Sequence, residues 1–363
     1  MVIGQPHLIK EYNQDLIQGL IAERGPVTKP ELSAITKLSL PTVNKVVDGL
    51  ERIGLVLQGP ESLTTVGRRA KTYVLNDNAG YIIVLYYQRG QIDASLRNLA
   101  GKSIWTERCA FTPSSLDEAM ALLTAIIAIP MQKHAEKIQA IGLGIPGVVN
   151  NTNVITSIPL IPCWNAVNLK ALLEAQFNLP VFVENDVKLM TVGYYTQKIS
   201  KKCKNMVFLY LGEGLGSGLI IDRKLYRGTS CFAGEYGYMS LTQESSGTHH
   251  TTLEEYVSAI VKKMEAASDT AEKGRCHTEL CDLLARVTVN FSVIVDPELI
   301  AIYSPYLGND ALERMRQQMD TFLPQGNRPE LVQVDEEYGV QGTFRLCLAN
   351  VTTKMKMVQQ KGV

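Results

Sequence analysis

The chain has 363 residues, of which 45% are hydrophobic and 20% charged, a balance that predicts two or three globular domains and excludes a disordered or fibrous chain. Lys and Arg number 36 and so do Asp and Glu, so no overall positive field favours nucleic acid or an anionic membrane, and a nucleic-acid contact needs a local patch. Seven cysteines without a CxxC pair, no basic-then-apolar leader and no apolar run of spanning length predict reduced thiols, a cytoplasmic location and no membrane partner.

Three helices and a hairpin are predicted at the N-terminus. Apolar spacing indicates a first helix over 8–24, a second that begins at the capping pair Thr28 and Glu31, and a third that opens at 39–42 and stops at Gly54. The short break between the second and third helices is typical of a helix-turn-helix. Two strands then follow at 55–57 and 71–75, with a cationic loop between them as a wing. The segment 1–78 is therefore predicted to be an all-α/winged helix-turn-helix domain.

The third helix and the wing carry side chains suited to DNA. Their short polar groups and cations are Ser39, Thr42, Asn44, Lys45, Arg68, Arg69 and Lys71. Such groups read base edges and phosphates, and Arg-bearing arms enter the minor groove, which predicts a double-stranded DNA operator as partner. The alternative is a protein-interaction module with a solvated loop, because residues 1–80 hold nine Lys or Arg and eight Asp or Glu.

From residue 79 onward, strands and helices alternate. Strands are predicted at 81–86, 91–99, 103–107, 138–145, 179–183, 205–211 and 218–222, and helices at 116–135, 169–177, 253–267, 278–295, 310–323 and 348–361. A strand meander followed by βα units, occurring twice around a cleft, predicts an α/β fold with a two-lobed, actin-like body. We expect one lobe at 79–188 and another at 189–363, an arrangement in which the last helix can return to the first lobe.

Two motifs mark the predicted cleft. Glu184, Asn185 and Asp186 directly follow the buried strand at 179–183, and polar groups at such a strand end face the ligand cleft of an α/β fold. The Gly-rich segment 211–218 comes next and is typical of a turn that binds phosphate, but it carries a carboxylate, Glu213. The pair of motifs therefore raises the question of whether the chain is a kinase.

Several blocks, in order, resemble the ROK family, which contains sugar kinases and sugar-responsive repressors with an N-terminal winged helix. These blocks lie at 144–147, 183–186, 212–218, 225–228, 233–238, 253–258 and 296–300. The resemblance implies a sugar site in the cleft, made by Asn165, Asn185, Asp186, Glu235, Tyr238 and Glu254, and it also implies a homodimer or higher homo-oligomer. Carboxylates and amides can pair each hydroxyl of a pyranose. The alternative for Asp186 is that it only caps the following helix.

Three parts of the family's nucleotide site depart from its pattern. Residues 85–90 lack the Asp-x-Gly-Gly-Thr turn, Glu213 stands in the Gly-rich turn, and 301–305 replace a Gly-Gly turn. A carboxylate about 4 Å from a phosphate charge repels it by about 1 kcal/mol in water, and phosphoryl transfer depends on positioning and electrostatics. ATP-dependent catalysis is therefore disfavoured, and no catalytic residue is assigned. No Cys lies between Cys231 and Cys276, where the family's zinc loop falls, so no metal and no cofactor are expected.

Together the patterns predict a sugar-responsive, DNA-binding transcriptional regulator, a repressor of carbohydrate-metabolism genes, rather than an enzyme. Two alternatives stay open. One is an ATP-dependent sugar kinase of the ROK type. The other is a DNA-binding regulator that has lost its effector, because Tyr238 replaces a sugar-contacting His of the family and the zinc loop is missing.

Overall fold

The computed structural model describes residues 6–60, 62–63, 69–200, 202–243, 250–308, 310–324, 326–334 and 338–358. An N-terminal module comes first. Its elements are α1 (Pro6–Arg24), β1 (Val27–Thr28), α2 (Lys29–Thr36), α3 (Leu40–Arg52), β2 (Val56–Gln58), β3 (Ser62–Leu63), β4 (Arg69–Ala70) and β5 (Thr72–Leu75).

The module is a winged helix-turn-helix, as predicted. Thr28 and Glu31 form the capping box that starts α2, with the Thr28 N–H donating to Glu31 Oε2 at 2.8 Å. Helix α3 buries Val43, Val47 and Leu50 on one face. Strands β1, β5 and β2 form an antiparallel sheet in that order. Strand β1 was not predicted, because two residues are too short to show alternation.

The first half of the body is one mixed sheet with helices. Its elements are β6 (Tyr81–Gln88), β7 (Gln91–Asn98), β8 (Ser103–Ala110), α4 (Leu116–His134), β9 (Ile138–Ile145), β10 (Val148–Val149), β11 (Ile155–Ser157), α5 (Leu169–Phe177) and β12 (Val181–Asn185). The sheet order is β12-β9-β6-β7-β8, with β6, β9 and β12 parallel and the β6-β7-β8 meander antiparallel. Strand β6 is buried at seven of its eight positions, which explains its nearly continuous apolar sequence.

The second half repeats this plan. Its elements are α6 (Asp186–Tyr194), β13 (Met206–Leu211), β14 (Leu215–Ile221), β15 (Lys224–Tyr226), β16 (Ser240–Gln243), β17 (His250–Thr252), α7 (Leu253–Ala266), α8 (Thr270–Val295), β18 (Leu299–Tyr303), α9 (Ala311–Phe322), β19 (Glu330–Gln333) and α10 (Gly339–Val358). The sheet order is β15-β14-β13-β18-β19, with an antiparallel meander and then parallel strands. The two sheets thus share one topology, which confirms the predicted two-lobed, actin-like α/β fold.

Helix α10 packs against the first sheet although it follows the second sheet in the chain. Phe344 and Cys347 are buried in one cluster with Ile82, Val84 and Ala140 of β6 and β9. Its backbone also meets α6 directly, because an added Cβ at Gly342 would lie 1.8 Å from the carbonyl oxygen of Leu189. This packing supports assigning α10 to the first lobe, while the domain limits 1–78, 79–188 and 189–363 stay predictions.

The N-terminal module contacts the body through apolar residues. Leu99, in the turn between β7 and β8, is 3% exposed and belongs to the core cluster of the module, which Leu348 of α10 also touches. The Leu99 N–H donates to Asp77 O at 3.0 Å. No helix of the described residues is long and apolar enough to cross a membrane.

Four predicted boundaries were wrong. The Gly-rich segment is a turn only at 212–214, since β14 already begins at Leu215 and runs through Gly216 and Gly218. Helix α8 begins at Thr270 and not at 278, because its first turns are polar. Helix α10 begins at Gly339 and not at 348, because glycines suggested a break. Strands β18 and β19 went unpredicted within a region expected to be helical.

Candidate functional site

A cavity of about 160 Å³ lies between the two sheets, beside the ends of β9, β12 and β13. Its polar lining residues are Ser157, Asn185, Asp186, Tyr210, Glu213, Glu235, Tyr238 and Glu254. Four of these are carboxylates, and none of the described lining residues is Lys, Arg or His. Cavities for drug-sized ligands are larger, about 300–1,000 Å³. The size and lining therefore suit a small, hydroxyl-rich molecule.

Asn185 and Asp186 form the floor of the cavity at the start of α6. Asn185 is the helix cap, because its Oδ1 accepts the Lys188 N–H at 3.0 Å, and its Nδ2 donates to Gly147 O at 3.3 Å and to Asp186 Oδ1 at 3.0 Å. Asp186 Oδ1 also accepts the Val187 N–H at 2.8 Å. Since Asn185 caps the helix, the Asp186 carboxylate is available to the cleft.

The Asp186 carboxyl is electrostatically strained. Burial raises the pKa of Asp186 to about 7, and the nearby charges of Glu235 and Glu213 raise it further, while the Val187 N–H opposes them. A neighbouring group behaves similarly, since burial raises the pKa of Glu254, with the Leu215 N–H opposing. Burial thus makes the ionised forms of these acids costly until a ligand donates hydrogen bonds to them.

Glu235 is tied to a buried lysine. Lys188 lies on α6 with its side chain 1% exposed, and its Nζ donates to Cys231 O at 2.6 Å and to Glu235 Oε1 at 3.4 Å. Burial raises the pKa of Glu235, and the Lys188 ammonium opposes that shift. The pair joins the first helix after β12 to the loop before β16, so it holds the cleft floor together.

Glu254 reaches the cavity because its neighbour takes the capping role. Thr252 caps α7, and Glu255 completes the capping box by accepting the Thr252 N–H at 3.0 Å. Glu254 is left facing the cavity, where an added Cβ at Gly214 would lie 3.2 Å from its Oε1.

Tyr238 bridges the mouth of the cleft. Its hydroxyl lies 3.4 Å from Ser157 Oγ on the opposite wall, and its ring packs against Phe232 with centroids 5.2 Å apart. Tyr238 is 53% exposed. Asn165 is not brought into this cavity, because its Oδ1 accepts the Ile158 N–H at 3.1 Å and holds the preceding turn.

The side of the cleft where a phosphate turn was considered is closed. Arg89 and Gly90 join β6 to β7 in a two-residue turn with φ of 49° and 72°, the type I′ geometry of a tight hairpin. Tyr86 and Tyr87 are 4% and 5% exposed next to it. The remaining space there is about 20 Å³, with Asp186 and Glu213 among its lining residues.

The β13–β14 turn is filled by an aromatic ring. The Tyr210 hydroxyl lies beneath the turn, 2.2 Å from where a Cβ on Gly212 would be. The Tyr210 ring stacks on Tyr303 with centroids 5.5 Å apart and planes 3° apart. Glu213, at the tip of the turn, is exposed. The turn therefore lacks the open, backbone-lined cradle that binds phosphate.

The candidate DNA residues lie around the start of α3. Ser39 is the helix cap, and its Oγ lies 2.8 Å from Thr42 Oγ1. Ser39 and Lys45 are exposed, and Thr42 and Asn44 are half-buried. In the wing, Lys71 is exposed, Arg69 lies on β4, and the predicted contact Arg68 lies outside the described residues.

Sequence reasoning missed several cavity residues. Ser157, Leu160 and Tyr210 line the cavity but belong to none of the motifs. Tyr210 had a usable signal, because a half-buried tyrosine at the end of a buried strand, just before a glycine turn, points towards the cleft edge. Ser157 had no signal, since β11 is only three residues long.

The comparisons with known sequences agree with this geometry. A sequence model of the ROK family matches residues 89–349. The xylose repressor of Bacillus spizizenii is 28% identical over 294 residues, which are 78% of this chain and 74% of that protein. The N-acetylglucosamine repressor of Escherichia coli O157:H7 is 24% identical over 243 residues, which are 66% of this chain but only 60% of that protein.

Solved structures show the same fold. A ROK family transcriptional regulator, a homolog of the E. coli MLC protein, aligns with a TM-score of 0.80 at 18% identity, over 97% of this chain and 99% of that one. A ROK family glucokinase from Streptomyces griseus, in complex with glucose and AMPPNP, gives a TM-score of 0.60 at 21% identity, over 74% of this chain and 99% of that one. Because the family's sequence model spans more than half of the 363 residues, the chain belongs to the ROK family.

Proposed function

We propose that this chain is a DNA-binding transcriptional regulator, a repressor of carbohydrate genes, whose effector is a sugar bound in the cleft between the two sheets. The winged helix supplies a DNA-reading helix, and the cavity offers carboxylates and an amide to sugar hydroxyls. Relatives named for repression by xylose and by N-acetylglucosamine systems support this role. The acidic residues of the floor, Asp186, Glu235 and Glu254, would accept hydrogen bonds from the sugar.

The closed phosphate side of the cleft carries the proposal. A tight hairpin turn, buried Tyr86 and Tyr87 and the exposed carboxylate of Glu213 occupy the side next to the polar floor. A phosphoryl-transfer enzyme needs that side open and positive. The cleft can therefore hold a small polyol without room for a nucleotide beside it.

A sugar kinase is the second candidate, and one observation favours it. Asp186 has a pKa near 7, which suits a general base. The kinase candidate predicts sugar-dependent ADP release that Asp186→Asn abolishes. We expect no ADP release above that of the Asp186→Asn variant with any sugar tested, and turnover in the native chain alone would contradict the regulator proposal.

DNA binding is tested on operator fragments selected from genomic DNA by the native chain. Replacing Lys45 and Arg69 with Ala should weaken binding by about tenfold or more and reduce the salt dependence by about one unit per lost phosphate contact, measured by fluorescence anisotropy. Lys273→Ala is the matched control, since Lys273 is exposed on α8, outside the winged helix. Equal affinities for the double variant and the control would contradict the assigned DNA surface.

We further propose that two copies act together in the cytoplasm. Helix-turn-helix dimers read half-sites about 34–36 Å apart, so a ligand-driven change in the angle between the lobes would break the match with the operator. Light scattering with and without operator DNA tests this, and a 1:1 complex at all concentrations would contradict it.

A further inference from the structure

The cavity has a charge character that limits what can enter it. Its charged lining residues are Asp186, Glu213, Glu235 and Glu254, all of them acids. We propose that the effector is an uncharged sugar in its unphosphorylated form, and that the cleft rejects the phosphate ester of that sugar. This inference rests on the proposed function and names the chemical class of the effector.

The cations around the cavity are already engaged. Lys188 donates to Cys231 O and to Glu235. Arg227 donates from Nε to Glu184 Oε2 at 2.7 Å, outside the cavity lining. Neither can turn towards a phosphate without leaving a buried acid or carbonyl unpaired, which costs more than a new surface contact returns.

Arg89 is the one cation that lines the small neighbouring pocket. That pocket holds about 20 Å³ and also contains Asp186 and Glu213. A phosphate directed there would therefore meet two carboxylates for one guanidinium, in a space too small for it. A phosphate group carries about −1.5 to −2 charges at neutral pH, so the balance remains repulsive.

Backbone groups do not compensate. The start of α6 could attract an anion, but the Val187 N–H donates to Asp186 and the Lys188 N–H donates to Asn185. The opposite wall is largely apolar, with Pro146, Val148, Pro159 and Leu160 in the lining. Such a wall suits the C–H face of a neutral pyranose, while the acids on the other side accept its hydroxyls.

The inferred class fixes a place in a reaction sequence. An effector that binds only without phosphate is the substrate of a phosphoryl-transfer reaction and not its product. The regulator would therefore respond before a kinase has acted on the sugar, and consumption of the sugar by phosphorylation would end the response.

Isothermal titration of the native chain tests the inference with matched pairs: glucose and glucose 6-phosphate, N-acetylglucosamine and its 6-phosphate, and galactose and galactose 1-phosphate. Xylose is an unpaired addition. We expect one uncharged sugar to bind and its phosphate ester to bind at least tenfold more weakly. Glu213→Gln should reduce that ratio by threefold or more, because it removes a charge and keeps the shape. Glu136→Gln, at an exposed site in the first lobe away from the cavity lining, should leave the ratio unchanged.

Two outcomes overturn the inference. One is a phosphate ester that binds as tightly as its parent sugar or more tightly. The other is a panel in which no uncharged sugar binds. Operator binding by the same preparation separates these results from failure of the proposed function, since a chain that binds DNA but no uncharged sugar is still a regulator.

Discussion

Asp186 shows how one position can conflict with stability. It is the first residue of α6, directly after the capping Asn185, and its carboxyl faces three other acids across the cavity. Burial raises its pKa from the ordinary 3.8 to about 7. The folded chain therefore holds this proton more tightly than the unfolded chain, and the stability that the protonated form contributes is lost as the pH rises from about 4 through 7.

Asp186→Asn should accordingly stabilise the protein at pH 8, by about 1–2 kcal/mol after allowing for the open side of the cleft. The Asn side chain keeps an oxygen for the Val187 N–H and removes the charge. Thermal unfolding from pH 4 to pH 8 measures it, and the advantage of the variant should disappear near pH 4. A difference that stays constant from pH 5 to pH 8 would contradict the assigned cause. Sugar binding should weaken in the same variant, which is the usual cost of a stabilised site.

At the scale of elements, the contact between α6 and α10 depends on glycine. An added Cβ at Gly342 would lie 1.8 Å from Leu189 O, and one at Gly193 would lie 2.2 Å from Tyr338 O. Both clashes involve backbone atoms, which cannot turn away as a side chain can. The two helices therefore lie closer together than larger residues would allow.

Gly342→Ala should lower the free energy of unfolding by about 1–3 kcal/mol, because the helices must separate to admit the methyl group. Gly274→Ala is the matched control, since Gly274 is also helical and nothing lies within 4 Å of its Cβ position. The control should gain up to about 1 kcal/mol from helix propensity. Chemical denaturation measures both, and equal effects of the two substitutions would contradict the close packing.

Most of the fold could be predicted where periodicity is strong and local. The buried strand Ile138–Ile145 and the helix Leu169–Phe177 have the predicted bounds because apolar spacing alone defines them. The start of α10 could not be predicted, because Gly339 and Gly342 acquire their meaning only from a helix far away in the chain. Strand β19 is short and carries few apolar residues, so only its neighbour β18 identifies it.

The candidate site was predictable where a motif meets a strand end, and less so elsewhere. Asn185 and Asp186 lie on the cavity floor, at the end of the strand that marked them. Asn165 resembled a family position, but its distance from the cavity depends on how the turn after β11 closes on Ile158. The bond between Tyr238 and Ser157 joins residues with no sequence relation, so only the assembled lobes reveal it.

At the scale of the whole molecule, the N-terminal module and the body share a core. Leu99 enters the apolar cluster of the module from the β7–β8 turn, and Asp77 O accepts its N–H. The connection between the two parts is therefore a packed contact as well as a covalent one. A change in the lobes can reach the DNA-reading helix through it.

Leu99→Ala should loosen that contact, with a cost of about 2–4 kcal/mol to the packing of the module. Limited proteolysis within 76–80 measures it, and cleavage should become at least tenfold faster. Leu172→Ala is the control, because Leu172 is 40% exposed on α5 and should leave the rate unchanged. A variant cleaved at the native rate would show that Leu99 does not hold the two parts together.

The position of α10 also governs the order in which the protein is completed. Ile82, Val84 and Ala140 lie under Phe344, Cys347 and Val351, so the sheet made early in synthesis waits for a helix made almost last. Domains generally fold as they leave the ribosome, beginning with the N-terminal ones. During translation of the second lobe, that apolar sheet face is uncovered, and a chaperone has a defined surface to protect until the final helix emerges.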